Sequence, residues 1–179
     1  MKKIIMKRML IFTLLGLFIT SVSWGQMDKS KRPSPPATAT GKIKRAMITI
    51  EYSSPSVKGR KVWGELVPYD KVWRAGANEA TIFTTSRDIM VEGKRLAAGK
   101  YSLYAIPRKD HWTFIFNSQT GQWGIKQNGE TTEDPGKDVV RVDVQAMKSP
   151  HFAERLSYDV NKKGFSLNWE NLKVPVSIR

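Results

Sequence analysis

The feature that most limits how this chain folds is alternation with a period of two. In "MITIEY" (47–52), Ile48, Ile50 and Tyr52 take one side while Met47, Thr49 and Glu51 take the other, as a strand buried on one face requires. "TIFTTS" (81–86) is β-branched and aromatic, and "DIMVEGKRL" reads as strand, turn and strand with Gly93 in the turn. "AAGKYSLYAIP" turns at Gly99 and sets Tyr101 and Leu103 opposite Ser102 and Tyr104, while "HWTFIFN" puts Trp112, Phe114 and Phe116 on one side. The rhythm continues through Val140, Val142 and Val144, through Leu156, Tyr158 and Val160, and through Phe165, Leu167, Trp169, Val174, Val176 and Ile178. No long amphipathic helix interrupts it. Strands with one apolar face need a second sheet to bury it, so the expected fold is an all-β antiparallel β-sandwich of about eight or nine strands. Trp112 and Trp169, on regular strands, are expected in its core.

The first residues obey a different logic. "MKKIIMKR" is a basic start, "MLIFTLLGLFIT" an apolar run of about a dozen residues against the ~20 that a spanning helix needs, and "SVSWG" ends in small residues. Residues 1–25 therefore read as a signal peptide, with Ser23 and Gly25 before the cut and Gln26 after it. The expected product is exported, periplasmic or secreted, with no transmembrane segment after cleavage. "MDKSKRPSPPATAT" (27–40) is rich in Pro, Ser, Thr and Lys, and residues 26–40 read as a flexible linker. A single sandwich domain is expected over 41–179.

Cysteine is absent. That removes a lipid-anchoring cysteine, a disulfide framework and any thiolate chemistry together, so an exported domain of this size must be held by its core. Four of the 30 basic residues leave with the leader, so 26 remain against 16 acidic ones, a net charge of about +10. A field of that sign favours acidic partners such as anionic glycans or lipid head groups. Export argues against nucleic acid.

Two stretches break the strand rhythm. Residues 53–80 form a long excursion after the first strand, punctuated by Pro55, Gly59, Gly64, Pro68 and Gly76; residues 117–138 are polar, Gly-rich and suited to a mobile loop, with Trp123 among them. Connections this long are usually functional or disordered, and the first holds too many aromatics for disorder.

Most familiar chemistry is missing. Only two histidines occur, His111 and His151, far apart and without clustered carboxylates, so no metal site and no cofactor are expected. There is no nucleophile elbow, no phosphate-binding loop and no dinucleotide fingerprint. What remains is the excursion. Arg60, Arg74, Asn78 and Glu79 offer directional hydrogen bonds, with Trp63, Tyr69 and Trp73 among them. A guanidinium fork fits carboxylate, sulfate or phosphate oxygens, and aromatic faces stack on sugar rings. The same residues also suit a structural clasp, with Glu79 neutralising Arg74, Trp73 plugging the sandwich end, and Asn78 and Gly76 supplying unusual backbone.

These blocks carry a resemblance. "IEYSSPSVKGRKVWGELVPYDKVWRAGANEATIFTTS", "VEGKRLAAGKYSLYAIP", "WTFIFN", "DVVRV" and "WENLKVPVSI" resemble the exported family catalogued as domain of unknown function 2911, over residues 34–179. The resemblance implies one secreted or periplasmic domain and brings no catalytic residues with it. Residues 126–137 depart from it in being richer in charge and glycine.

The leading functional expectation is a non-catalytic module that binds an acidic or carbohydrate-like envelope component through the 56–81 loop, with Arg60, Trp63, Tyr69, Trp73, Arg74, Asn78 and Glu79 as candidate contacts. One alternative is an envelope hydrolase with Glu79 or Asp70 as acid or base. Another is a structural partner-docking domain.

Overall fold

The computed structural model describes residues 28–179; the expected leader, with Gln26 and Met27, lies outside them. Ten strands follow in chain order: β1 Pro36–Ile43, β2 Ala46–Ser53, β3 Thr81–Thr85, β4 Ile89–Val91, β5 Lys94–Leu96, β6 Gly99–Pro107, β7 His111–Asn117, β8 Asp138–Gln145, β9 Met147–Asn161 and β10 Gly164–Ser177. Among the described residues there is no α-helix, only single 3-10 turns at Lys29–Lys31 and Pro135–Lys137.

The strands close as the alternation requires. Six form one antiparallel sheet in the order β1-β2-β3-β6-β7-β8. Facing it are the β9-β10 and β4-β5 hairpins, which meet where Val91 bridges Ile178 and where Met90 and Arg179 exchange two 2.9 Å backbone hydrogen bonds. The end of β10 also returns beside its start, since the Ile178 N–H donates to the Lys163 carbonyl at 2.8 Å. That return explains Gly164. Its φ is +151°, and a Cβ there would lie 1.9 Å from the Val176 carbonyl oxygen, a position only glycine fills.

Between the layers lie Ile48, Ile50, Phe83, Leu103, Trp112, Phe114 and Phe116 from the large sheet, against Leu156, Tyr158, Phe165, Leu167, Trp169, Val174 and Val176. Trp112 and Trp169 are 0% and 1% exposed, as their strand positions lead one to expect. Trp63 and Trp73 from the excursion join them. Trp63 meets Trp112 edge to face at 4.8 Å and Trp169 at 5.5 Å, while Trp73 stacks on Trp169 at 6.0 Å. Edge-to-face indoles place the positive ring edge on a neighbour's negative face, a preferred geometry. The excursion thus seals one end of the sandwich, its two tryptophans completing a cluster of four.

The linker expectation needs correcting. Residues 36–40 belong to β1, which pairs with β2 from Pro36↔Ser53 to Ile43↔Ala46. An edge strand buries little, and β1 alternates exposed and half-buried positions with only Ile43 fully covered, so threonines and alanines suffice and composition alone resembles a tether. Residues 28–35 are also bound down. The Asn78 side-chain amide donates to the Ser34 carbonyl at 3.0 Å, the Ser54 N–H donates to the Pro35 carbonyl at 2.8 Å, and Arg32 Nη1 donates to both Glu79 carboxylate oxygens at 3.0 Å.

Candidate functional site

A short bridge within the excursion positions the site. The Trp73 N–H donates to the Ala105 carbonyl at 2.7 Å and the Ala105 N–H returns to Trp73 at 2.8 Å, so residues near 73 continue the line of β3 along the edge of β6. Ala105 faces the core, and a directly paired residue shares its face, so Trp73 points inward. Its neighbours Val72 and Arg74 then point to the opposite, outer face of the sheet. There Val72 packs on a small second apolar cluster of Ala80, Tyr104 and Ile115.

The second long loop closes over this outer face. Glu79 bridges Trp123, with the Ala80 N–H donating to Gln122 at 3.2 Å and the Gly124 N–H to Asn78 at 3.0 Å. Thr132 Oγ1 donates to the Trp123 carbonyl at 2.5 Å and Asn117 Nδ2 to Asp134 at 2.7 Å, so the loop read as mobile is tied to its neighbours. Gly124 lies directly on Arg74. A Cβ at 124 would meet Arg74 Cδ at 2.2 Å and its Cβ at 2.9 Å.

Arg74 thereby enters a cleft of about 690 Å³ between residues 66–74 and 125–135, a size that suits a small ligand. Leu66, Pro68, Trp73, Ile125 and Pro135 give it apolar walls, and Lys71, Arg74, Lys126, Glu130 and Glu133 supply the charge. The charges are unevenly committed. Lys126 pairs with Glu130 at 3.7 Å, and Glu133 pairs outward with Arg141 at 3.2 Å. Lys71 and Arg74 occur in none of the ion pairs among the described residues, and Arg74 Nε is buried without a hydrogen-bond partner. Burial lowers the Arg74 pKa, yet a guanidinium stays charged at any physiological pH. The cleft therefore holds a partly desolvated cation with no carboxylate within ion-pair distance, although Glu130 and Glu133 line the same cleft. Glu133 is its counterpart: burial first, then the Asp138 carboxylate, raise its pKa.

The seven residues singled out in the sequence fall in different places. Trp73 and Arg74 line the cleft. Trp63 is in the core, and Tyr69 packs against it. Arg60 is exposed and donates to the carbonyls of Ser56 at 2.6 Å and Val57 at 3.0 Å, which ties down its own loop. Asn78 holds Ser34 with its side chain and adopts φ +58°, the left-handed backbone that asparagine tolerates. Glu79 neutralises Lys29 at 2.9 Å and Arg32 at 3.0 Å rather than Arg74. Burial would raise its pKa, but hydrogen bonds led by Lys29 hold it down at about 2, so it stays ionised. Asp70 is exposed and bound to Arg108 at 3.0 Å.

With this geometry in place, comparison with known proteins gives one positive result. The family described as "Protein of unknown function (DUF2911)" matches residues 34–178. The chain belongs to this family. Among curated proteins and among solved structures nothing matches. The family span begins two residues before β1 and reaches Ile178, so DUF2911 takes in the whole sandwich, both long loops and both cleft walls.

The wall contributed by residues 125–135 supplied none of the seven candidate contacts, although the 117–138 stretch that holds it broke the strand rhythm. Its polar, Gly-rich composition resembles a solvated loop, and the one visible signal was Trp123, just before it in the same 117–138 stretch. Among the described residues no group of three or more metal-ligating side chains occurs, and no helix is long and apolar enough to cross a membrane.

Proposed function

We propose that this protein is a binding module for a small anionic ligand, such as a carboxylated or sulfated sugar of the cell envelope, held in the cleft between residues 66–74 and 125–135. The observation that carries the proposal is Arg74, a half-buried guanidinium without a carboxylate partner. An incoming carboxylate would give the Arg74 guanidinium the charge-assisted partner that it has in none of the ion pairs among the described residues. Lys71 adds a second positive group, and Leu66, Pro68 and Ile125 suit the apolar face of a sugar ring. Relative to the sequence expectation, the site keeps Trp73 and Arg74, loses Arg60, Asn78 and Glu79 to structural duties, and gains the second loop.

Thermal shift and calorimetric titration with galacturonate, galactose and sulfate test this reading. Galacturonate is expected to raise the melting midpoint, with about 2.7 kcal/mol of stabilisation once the ligand reaches a hundredfold excess over Kd. Neutral galactose is expected to do nothing. Arg74→Gln should abolish the shift while the protein still melts cooperatively, whereas Arg60→Gln should leave binding unchanged. Binding that survives Arg74→Gln overturns the proposal.

Hydrolysis, the second reading, is favoured by one observation only, a cleft carboxyl at Glu133 whose pKa is raised by burial, the direction in which a general acid is tuned. It moves the acid from Glu79 and Asp70 to Glu133. Turnover of acidic glycosides that is indifferent to Glu133→Gln removes it.

A further inference from the structure

The strand registers gather one end of the sandwich into a set of adjoining turns. The β1-β2 hairpin turns at Lys44 and Arg45, between Ile43 and Ala46. Beside it comes the segment after β3, because the Met47 N–H donates to Ser86 Oγ at 2.8 Å and the Ser86 N–H returns to the Met47 carbonyl at 3.0 Å. On the other side β9 approaches β1 so closely that a Cβ at Gly41 would lie 2.8 Å from Val160 Cγ1, which brings the β9-β10 turn, Lys162 and Lys163, alongside. Lys42, Lys44, Arg45, Arg87, Lys162 and Lys163 therefore crowd one end, all exposed.

None of these six occurs in an ion pair among the described residues. Of the acidic groups nearest in the chain, Asp88 is neutralised by Arg95 at 2.6 Å, and Asp159 keeps its charge but accepts from the Asn168 amide at 2.8 Å and pairs with none of the six. A second observation points the same way. Lys44 holds φ +53° at the hairpin turn, where asparagine or glycine is strongly preferred, so a strained backbone carries a cation where a neutral residue fits better.

We propose that this end of the sandwich docks on an anionic lipid surface. Like charges concentrated on adjoining turn tips repel one another in the free protein and are relieved only by an opposite field. Blunt turn tips present that charge to a plane, whereas a polyanionic chain is better held in a groove with stacking rings. The exposed Met47 beside the Lys44 turn adds an apolar contact at the level of the head groups. Each Lys or Arg near an anionic bilayer adds to partitioning, and the attraction fades within a Debye length. This docking is independent of the Arg74 cleft.

The test is partitioning onto phosphatidylglycerol vesicles and onto phosphatidylcholine vesicles, with the protein lacking residues 1–25 checked for a cooperative melt. Binding is expected to phosphatidylglycerol alone and to weaken with salt. Serine at Lys44, Arg45, Lys162 and Lys163 together should reduce it about a hundredfold or more, while serine at Lys31, Lys58, Lys109 and Lys148, an equal loss of charge, should leave most of it. If the first quadruple variant fails to fold, Lys162→Ser with Lys163→Ser leaves the strained turn intact and should still reduce binding about tenfold. Equal losses in both quadruple variants, no binding to phosphatidylglycerol, or binding to dextran sulfate without binding to vesicles each overturn the proposal.

Discussion

Gly124 and Arg74 occupy one another's space: the glycine has no side chain because the arginine stem runs where a Cβ would stand, 2.2 Å from Arg74 Cδ. Gly124→Ala should therefore push Arg74 out of line and weaken the second loop's contact with the sheet. The expected cost is about 1–3 kcal/mol, as for other overpacked sites, read as a lower midpoint in urea unfolding. Any ligand-induced thermal shift should shrink with it, more than in an Arg60 variant of equal stability.

The tryptophan cluster sets the larger stakes. Trp112 is fully buried against Trp63, Trp73 and Phe114, so Trp112→Ala should cost about 3–5 kcal/mol. An equilibrium denaturant titration checks this; a loss under 1 kcal/mol would mean that the sandwich end does not depend on the indoles.

Acid should loosen the N-terminal segment. The Glu79 carboxyl sits at about 2 when folded against an ordinary 4.5, so its contribution is present above about pH 4.5 and fades as the pH falls toward 2. Across that interval the wild type should lose stability that Glu79→Gln never had, and the Lys29 and Arg32 contacts should become more open to protease at Lys31. Part of Glu79 is solvated, so added salt should narrow the difference.

At the β1-β2 turn, stability and charge oppose each other. Lys44→Asn should relieve the φ +53° strain and raise stability by up to about 1 kcal/mol, measured by thermal melting. A melt unchanged or lowered would show that the turn is not strained.

The fold was legible wherever one face of a strand is apolar and the other polar, as at Ile48, Ile50 and Tyr52, because burial imposes that pattern on the residues themselves. It was not legible at β1, whose solvent-facing threonines need no apolar partner. The candidate site was half legible. Trp73 and Arg74 stood out by residue type, but their opposite directions follow from one bridge to Ala105, and pairing partners distant in sequence leave no local mark. The Glu79↔Trp123 bridge is likewise what brings the second wall into place. Glu79 was read against Arg74 because they are near in sequence; its actual partners, Lys29 and Arg32, are in the segment whose composition suggested a tether.

Four indoles at one end of the molecule, with rings 4.8–6.2 Å apart and mostly at steep angles, also form an optical device. Transition dipoles that close exchange excitation, so the native state should show an exciton couplet in circular dichroism that the unfolded chain lacks. The domain carries its own spectroscopic gauge of whether the 53–80 excursion is seated, with no label added.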